Sequence, residues 1–182
     1  MASIDDIQGA FDTIVQVLDE TRPKEAVTTA NDLRALVRDR VQNDKVKADG
    51  QPFGQYSQAV VPYWYYKDKE SNVSNAAQKL LNTVGYFASY ADFREVNNVQ
   101  AGDIDLTLTG QMWASTTVIE GDISDGQATA IIQFTGESNK LKAGYHGDRF
   151  GNILAASDEE VNAAIESYRE RRFELIGALL VG

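Results

Sequence analysis

Thr116-Thr117-Val118-Ile119-Glu120-Gly121-Asp122-Ile123-Ser124-Asp125-Gly126-Gln127-Ala128-Thr129-Ala130-Ile131-Ile132-Gln133-Phe134 is the stretch that decides the fold. Both halves are rich in β-branched residues, which favour extended backbone. Between them, Ser124-Asp125-Gly126-Gln127 carries the Asp-Gly pair suited to a tight turn with positive φ at both central positions. The stretch reads as two antiparallel strands. The carboxylates and glycine of residues 120–126 lack the spacing and closing glutamate of a calcium loop, and a hairpin turn accounts for them better.

Helical patterns lie on both sides of this hairpin. Ile4, Ile7, Phe11, Ile14, Val15 and Leu18 recur at three- and four-residue steps, one apolar stripe. Ser3 is the candidate N-cap, and Asp5 and Asp6 suit the first turn. Arg22-Pro23 is expected to stop this helix, since proline disfavours a helical residue before it. A second helix is then expected from Pro23, capped by Thr21, with a seam of Ala26, Ala30, Leu33, Val37 and Val41. Arg34, Arg38 and Arg40 fall off that seam and read as solvated, and Asn43-Asp44-Lys45 ends the helix. After the hairpin, residues 140–145 read as a short helix. Ser157-Asp158-Glu159-Glu160 is a capping box. It opens a last helix through Val161, Ala164, Ile165, Tyr168, Leu175, Ile176 and Leu179, with Glu166, Arg169, Glu170 and Arg172 as its wet face. The expectation is an α+β fold: a small antiparallel sheet with a β-hairpin packed against long N- and C-terminal helices. It forms a single domain over 1–182, its core about 22–176.

The middle of the chain is less regular. Residues 48–54 form a turn-rich loop. Tyr56, Tyr63, Trp64, Tyr65 and Tyr66 follow as an aromatic run. It reads as packing over the core or as a protein contact surface, because tyrosine and tryptophan anchor interfaces. Base stacking is the less supported alternative, for want of basic residues. Ala76, Ala77, Leu80, Leu81, Val84 and Phe87 suggest helical turns, and the stretch 67–103 reads as a surface-exposed part of a long insertion at about 60–103.

Composition narrows function. Net charge is −10, and lysines and arginines are dispersed (Lys45, Lys47, Lys67, Lys69, Arg169, Arg171, Arg172), so the clustered basic face of a nucleic-acid binder is missing. Such a surface suits the lining of a DNA conduit, where like charge prevents sticking. With 0 cysteines, disulfides and thiolate chemistry are excluded. A single histidine cannot build a zinc site. No phosphate-cradling glycine motif occurs. Neither a signal peptide at Met1-Ala2-Ser3-Ile4-Asp5-Asp6 nor a membrane-length apolar run is found, so the expectation is an aqueous compartment and no membrane partner. No cofactor, metal or catalytic site is expected.

The motifs also come in a telling order: Arg40-Val41-Gln42-Asn43, then Asp49-Gly50-Gln51-Pro52-Phe53-Gly54-Gln55-Tyr56-Ser57, then Asp105-Leu106-Thr107-Leu108-Thr109-Gly110-Gln111-Met112, then Ala143-Gly144-Tyr145-His146, then residues 150–160. In this order they resemble the phage virion morphogenesis family, the tail-completion or head–tail joining proteins, over roughly residues 26–176. The resemblance implies an α+β subunit that assembles as a homo-oligomeric ring, sixfold or twelvefold, in the virion neck. Its partners would be the portal or its adaptor on one side and the tail tube or tail terminator on the other. Such a protein is made in the host cytoplasm and resides in the virion. The chain departs from the pattern at Asp148-Arg149-Phe150-Gly151-Asn152-Ile153-Leu154, which lacks the family's proline, and at 60–103, where the family has a shorter, more basic loop.

Three functions therefore stand against each other. The first is the virion subunit, with interface candidates Tyr63, Trp64, Tyr65, Tyr66 and the apolar C-terminal residues Leu175, Ile176, Leu179 and Leu180. The second is a small cytoplasmic adaptor or inhibitor presenting residues 63–66 to one partner. The third is a hydrolase, which needs His146 beside a carboxylate and a hydroxyl. The resemblance gives His146 a structural place instead, at the end of a short helix and hydrogen-bonded locally.

Overall fold

Apolar stripes at helical spacing and β-branched runs at strand spacing set the order of elements in this computed structural model. It describes residues 4–62, 75, 79, 82, 86–87, 89–99, 101–106 and 110–181. Helix α1 (Ile4–Asp39) runs into a π-helical turn (Arg40–Asp44), followed by strands β1 (Val61–Pro62) and β2 (Tyr86–Phe87). Then come α2 (Tyr90–Val96), α3 (Gln111–Ala114), β3 (Thr116–Ser124), β4 (Gln127–Phe134), α4 (Glu137–Phe150) and α5 (Asp158–Val181). The chain divides into two compact units. One is Met1–Arg38, Thr116–Thr135 and Leu154–Gly182; the other is Asp39–Ser115 and Gly136–Ile153.

In the first unit the hairpin forms as its sequence requires. Asp125 and Gly126 both take positive φ, 50° and 73°, and the antiparallel register runs from Thr116 opposite Phe134 to Ser124 opposite Gln127. A bulge at Gly121 and Asp122 interrupts β3, and Thr129 Oγ1 donates to the Asp122 carbonyl at 2.8 Å. Long terminal helices pack with this small sheet, so the α+β architecture holds. Arg34 Nη1 ties α1 to the sheet through the Thr116 carbonyl at 2.8 Å. α5 runs antiparallel to α1: Ser167 bonds Asp32, while Arg172 further along bonds Leu18 and Thr21. Its first turn is the expected capping box, with Ser157 N donating to Glu160 Oε2 at 2.7 Å and Glu160 N to Ser157 Oγ at 3.2 Å. Ile14, Val37, Phe134 and Ala164 are the buried apolar side chains here.

Three expectations about residues 21–40 are corrected. Pro23 does not end it; the helix continues through the proline to Asp39. Proline supplies no N–H to the carbonyl four residues back and pushes that turn open. The neighbouring Leu18 carbonyl accepts from Arg172 Nη1 and Nη2 of α5, both at 3.1 Å, and from Thr21 Oγ1 within α1 at 3.3 Å. Thr21 is therefore inside the helix and caps nothing; its hydroxyl also donates to the Val17 carbonyl. Nor are the arginines uniformly solvated. Arg34 is half-buried on the sheet, Arg40 is buried with Nη1 on the Val46 carbonyl at 2.8 Å, and only Arg38 is exposed. The expected cap Ser3 lies outside the described residues.

The second unit is built on aromatic packing. The π-helical turn ends at Lys45, whose positive φ of 59° closes it as the sequence implied. Phe87 and Phe93 meet edge to face, ring centroids 5.0 Å apart, and both are fully buried. Ser89 caps α2 by accepting from Asp92 N at 3.0 Å. The stretch 67–103 was expected on the surface; instead Phe87, Ser89, Phe93 and Arg94 are core residues, because β2 and α2 turn their aromatic side chains inward. The expected helical residues Ala76, Ala77, Leu80, Leu81 and Val84 lie outside the described residues. The helix expected over 140–145 is present and longer, as α4, with no buried side chain.

Candidate functional site

Two segments that carry the sequence resemblance are brought together in the second unit. Tyr56 N donates to the Gly102 carbonyl at 3.4 Å, and Ile104 N donates to the Gly54 carbonyl at 2.9 Å. This pairing delivers the Tyr56 hydroxyl to Asp105 Oδ1 at 2.7 Å. Arg94 Nη2 reaches the same oxygen at 3.0 Å, and its guanidinium lies 4.1 Å from the Tyr56 ring centre. Arg94 is only 1% exposed, so its charge depends on this carboxylate and on the ring face. Burial, and then the hydrogen bond to Asp105, push the Tyr56 hydroxyl well above the usual tyrosine range. A neutral tyrosine, a carboxylate and a guanidinium thus close on one another. They cross-link residues 49–57 and 105–112.

His146 lies on α4 with its ring stacked on Phe150, centroids 6.1 Å apart, and Phe53 meets Phe150 edge-on at 5.5 Å. Burial, then the positive charge of Arg149, lowers its pKa from the ordinary histidine value. Its contact is this aromatic stack, in place of the local hydrogen bond that was expected for it.

In the first unit, the interface candidates of α5 gather in its last two turns. Leu175, Ile176 and Leu179 are half-buried, and Leu180 is 65% exposed. Phe173, which sequence reasoning did not single out, is 73% exposed on the same helix. On α1, Phe11 and Val15 are 60% and 57% exposed, so these two residues of the apolar stripe read in the sequence face outward. Tyr63, Trp64, Tyr65 and Tyr66 lie outside the described residues.

Above these turns, Arg171 holds the two helices together. Its guanidinium donates to Glu25 at 3.0 Å, Asp32 at 2.7 Å, Thr29 at 2.9 Å and Ser167 at 2.8 Å. Burial opposes the charge, but the bonds to Glu25 and Asp32 outweigh it and hold the group above its ordinary value. An open groove of about 600 Å³ runs beside this bridge. Ala26 and Ala30 of α1, Ala128 and Ala130 of β4, and Ile165 and Tyr168 of α5 give it an apolar floor. Its rim arginines are committed within the chain, Arg22 to Asp19 and Arg172 to Leu18 and Thr21. Arg172, expected on the wet face, is therefore a buried-side cross-link. The only sequence signal for it was the Arg171-Arg172 pair on a helix whose partner carries Glu25 and Asp32.

Among the described residues, no group of histidine and carboxylate side chains is arranged to hold a metal ion. No helix among them is long and apolar enough to cross a membrane. No family model, curated protein or solved structure matches the chain.

Proposed function

We propose that this chain is a structural subunit of a tailed-phage virion, a neck or tail-completion protein that forms a homo-oligomeric ring between head and tail. The observation that carries the reading is the ordered motif set, together with the way two of its members are used. Residues 49–57 and 105–112 meet through Tyr56 and Asp105 around buried Arg94. A framework role for these residues explains why they occur together. Ring contacts need free apolar surface, and the exposed Phe11, Val15, Phe173 and Leu180 supply it. In this reading the portal or its adaptor and the tail tube or terminator are the neighbours, and the net charge of −10 keeps DNA from adhering to a channel wall.

The test is to purify particles of the phage that encodes the chain and look for it by mass spectrometry and by imaging of the neck. Stoichiometric presence as a ring supports the reading. Absence from purified particles rejects it. A discrete low-order complex with one cytoplasmic partner would favour an adaptor instead.

A further inference from the structure

The groove between α1, β4 and α5 lies wholly within the first unit, and a virion framework makes no use of it. It exists because the inner face of β4 is thinly filled. Residues 127, 129 and 131 are exposed, so Ala128 and Ala130 point toward the helices, where Ala26 and Ala30 form the facing wall. Methyl groups on both walls leave about 600 Å³ open between sheet and helices. Ligand pockets span roughly 300–1,000 Å³. The groove also has two unlike ends. α1 and α5 run antiparallel, Ser167 against Asp32 and Arg172 against Thr21, so Arg22 and Arg172 share one end while Ala30 and Ile165 share the other. The hairpin agrees. Its turn approaches Arg22, where a Cβ added to Gly126 would stand 3.1 Å from Nη1, and Ala130 lies further along toward the apolar end. Tyr168, with the Arg172 guanidinium 5.7 Å from its ring centre, flanks the groove.

Charge selects the occupant. The chain carries 27 acidic residues against 17 basic, yet the groove is lined by two arginines and no carboxylate. The acidic side chains of this part of α1 are turned elsewhere. Glu25 and Asp32 bond Arg171, and Asp19, outside the lining, takes Nη2 of Arg22. A guanidinium has five N–H donors. Nη1 and Nε of Arg22 have no acceptor among the described residues, and Arg172 keeps Nε beyond its bonds to Leu18 and Thr21. Two cations with donors to spare suit a carboxylate, and walls of alanine suit an aliphatic chain. We propose that this groove binds a small amphiphilic carboxylate, its chain between the alanine walls and its head on Arg22 and Arg172. The site needs one copy of the chain and does not depend on the ring proposed above.

The experiment titrates the full chain by calorimetry with octanoate, kept below its micelle range, and with octanol and octylamine as neutral and cationic counterparts. Octanoate is expected to saturate at one per chain and to bind about tenfold or more tightly than octanol, with octylamine weaker still. It should also raise the melting temperature by mass action. Ala130→Leu fills the apolar end and should abolish binding with unchanged circular dichroism. Arg22→Gln should weaken octanoate about tenfold and leave octanol unchanged. Arg169→Gln, an exposed arginine of α5 outside the groove, should change neither. Equal affinity for octanoate and octanol, or octanoate binding that survives Ala130→Leu, overturns the proposal. So does the absence of saturable octanoate binding to the unmodified chain, which leaves the groove to a segment of another protein.

Discussion

Tyr56 and Asp105 stand 49 residues apart, yet a 2.7 Å hydrogen bond joins them in the folded second unit. Burial and Asp105 raise the Tyr56 pKa. A raised acid pKa contributes stability that is complete below the unfolded value, about 10, and is lost as pH rises above it. Tyr56→Phe removes the hydrogen bond and is expected to cost about 1–3 kcal/mol at neutral pH. The gap between the variant and the parent chain should narrow above pH about 10, because only the parent then loses the neutral-tyrosine contribution. Denaturant unfolding at both pH values measures this, and a gap that stays constant contradicts it. His146 has the opposite sign. Burial, then Arg149, lowers its pKa, so its contribution is complete above about 6.5 and falls away as pH drops below that value. His146→Phe keeps an aromatic ring on Phe150 and is expected to flatten the stability profile on the acid side of neutrality; an unchanged slope counts against it. Neither cluster was legible in the sequence. Tyr56 and Asp105 stood out as motif residues, but their convergence on Arg94 depends on chain segments that meet only in the folded state.

Local chemistry decided which elements could be read in advance. The Asp125-Gly126 turn and the Ser157–Glu160 capping box each depend on adjacent residues, and both form as read. The bulge was hidden because its cause is cross-strand: a Cβ on Gly121 would run into the Thr129 hydroxyl. Gly121→Ala is therefore expected to destabilise the chain by about 1–3 kcal/mol. Combining it with Thr129→Ala should recover part of that loss, and additive effects in thermal melts would contradict the contact. α1 was misread for the same reason. Pro23 is a local stop signal, and the contact next to it comes from α5, where Arg172 binds the Leu18 carbonyl and the Thr21 hydroxyl. Arg172→Ala should cost about 1–3 kcal/mol by leaving that carbonyl without its guanidinium. Hydrogen exchange should quicken around residues 18–24 specifically. Uniform quickening along α1 would mean that the bridge acts on helix packing as a whole and has no particular role at the proline.

At the scale of the molecule, periodicity located the apolar stripes but could not say which stretches of them a partner helix covers. Ile14 and Val37 are buried, while Phe11 and Val15 on the same helix are open. The same split divides α5, where Ala164 is buried and Phe173 and Leu180 are exposed. The open residues are the natural candidates for contact with another subunit. If the chain is a ring-forming virion protein, deleting residues 173–182 should weaken its incorporation into particles. That deletion also removes the half-buried Leu175, Ile176 and Leu179, so lost folding could mimic lost docking. Phe173→Ser and Leu180→Ser separate the two effects. Both side chains are mostly exposed, so stability should change by no more than about 0.5 kcal/mol, while the amount of protein in purified particles should fall several-fold. Unchanged particle content in the doubly substituted, fully folded chain would remove the end of α5 from the interface and leave the contact to Phe11 and Val15 on α1.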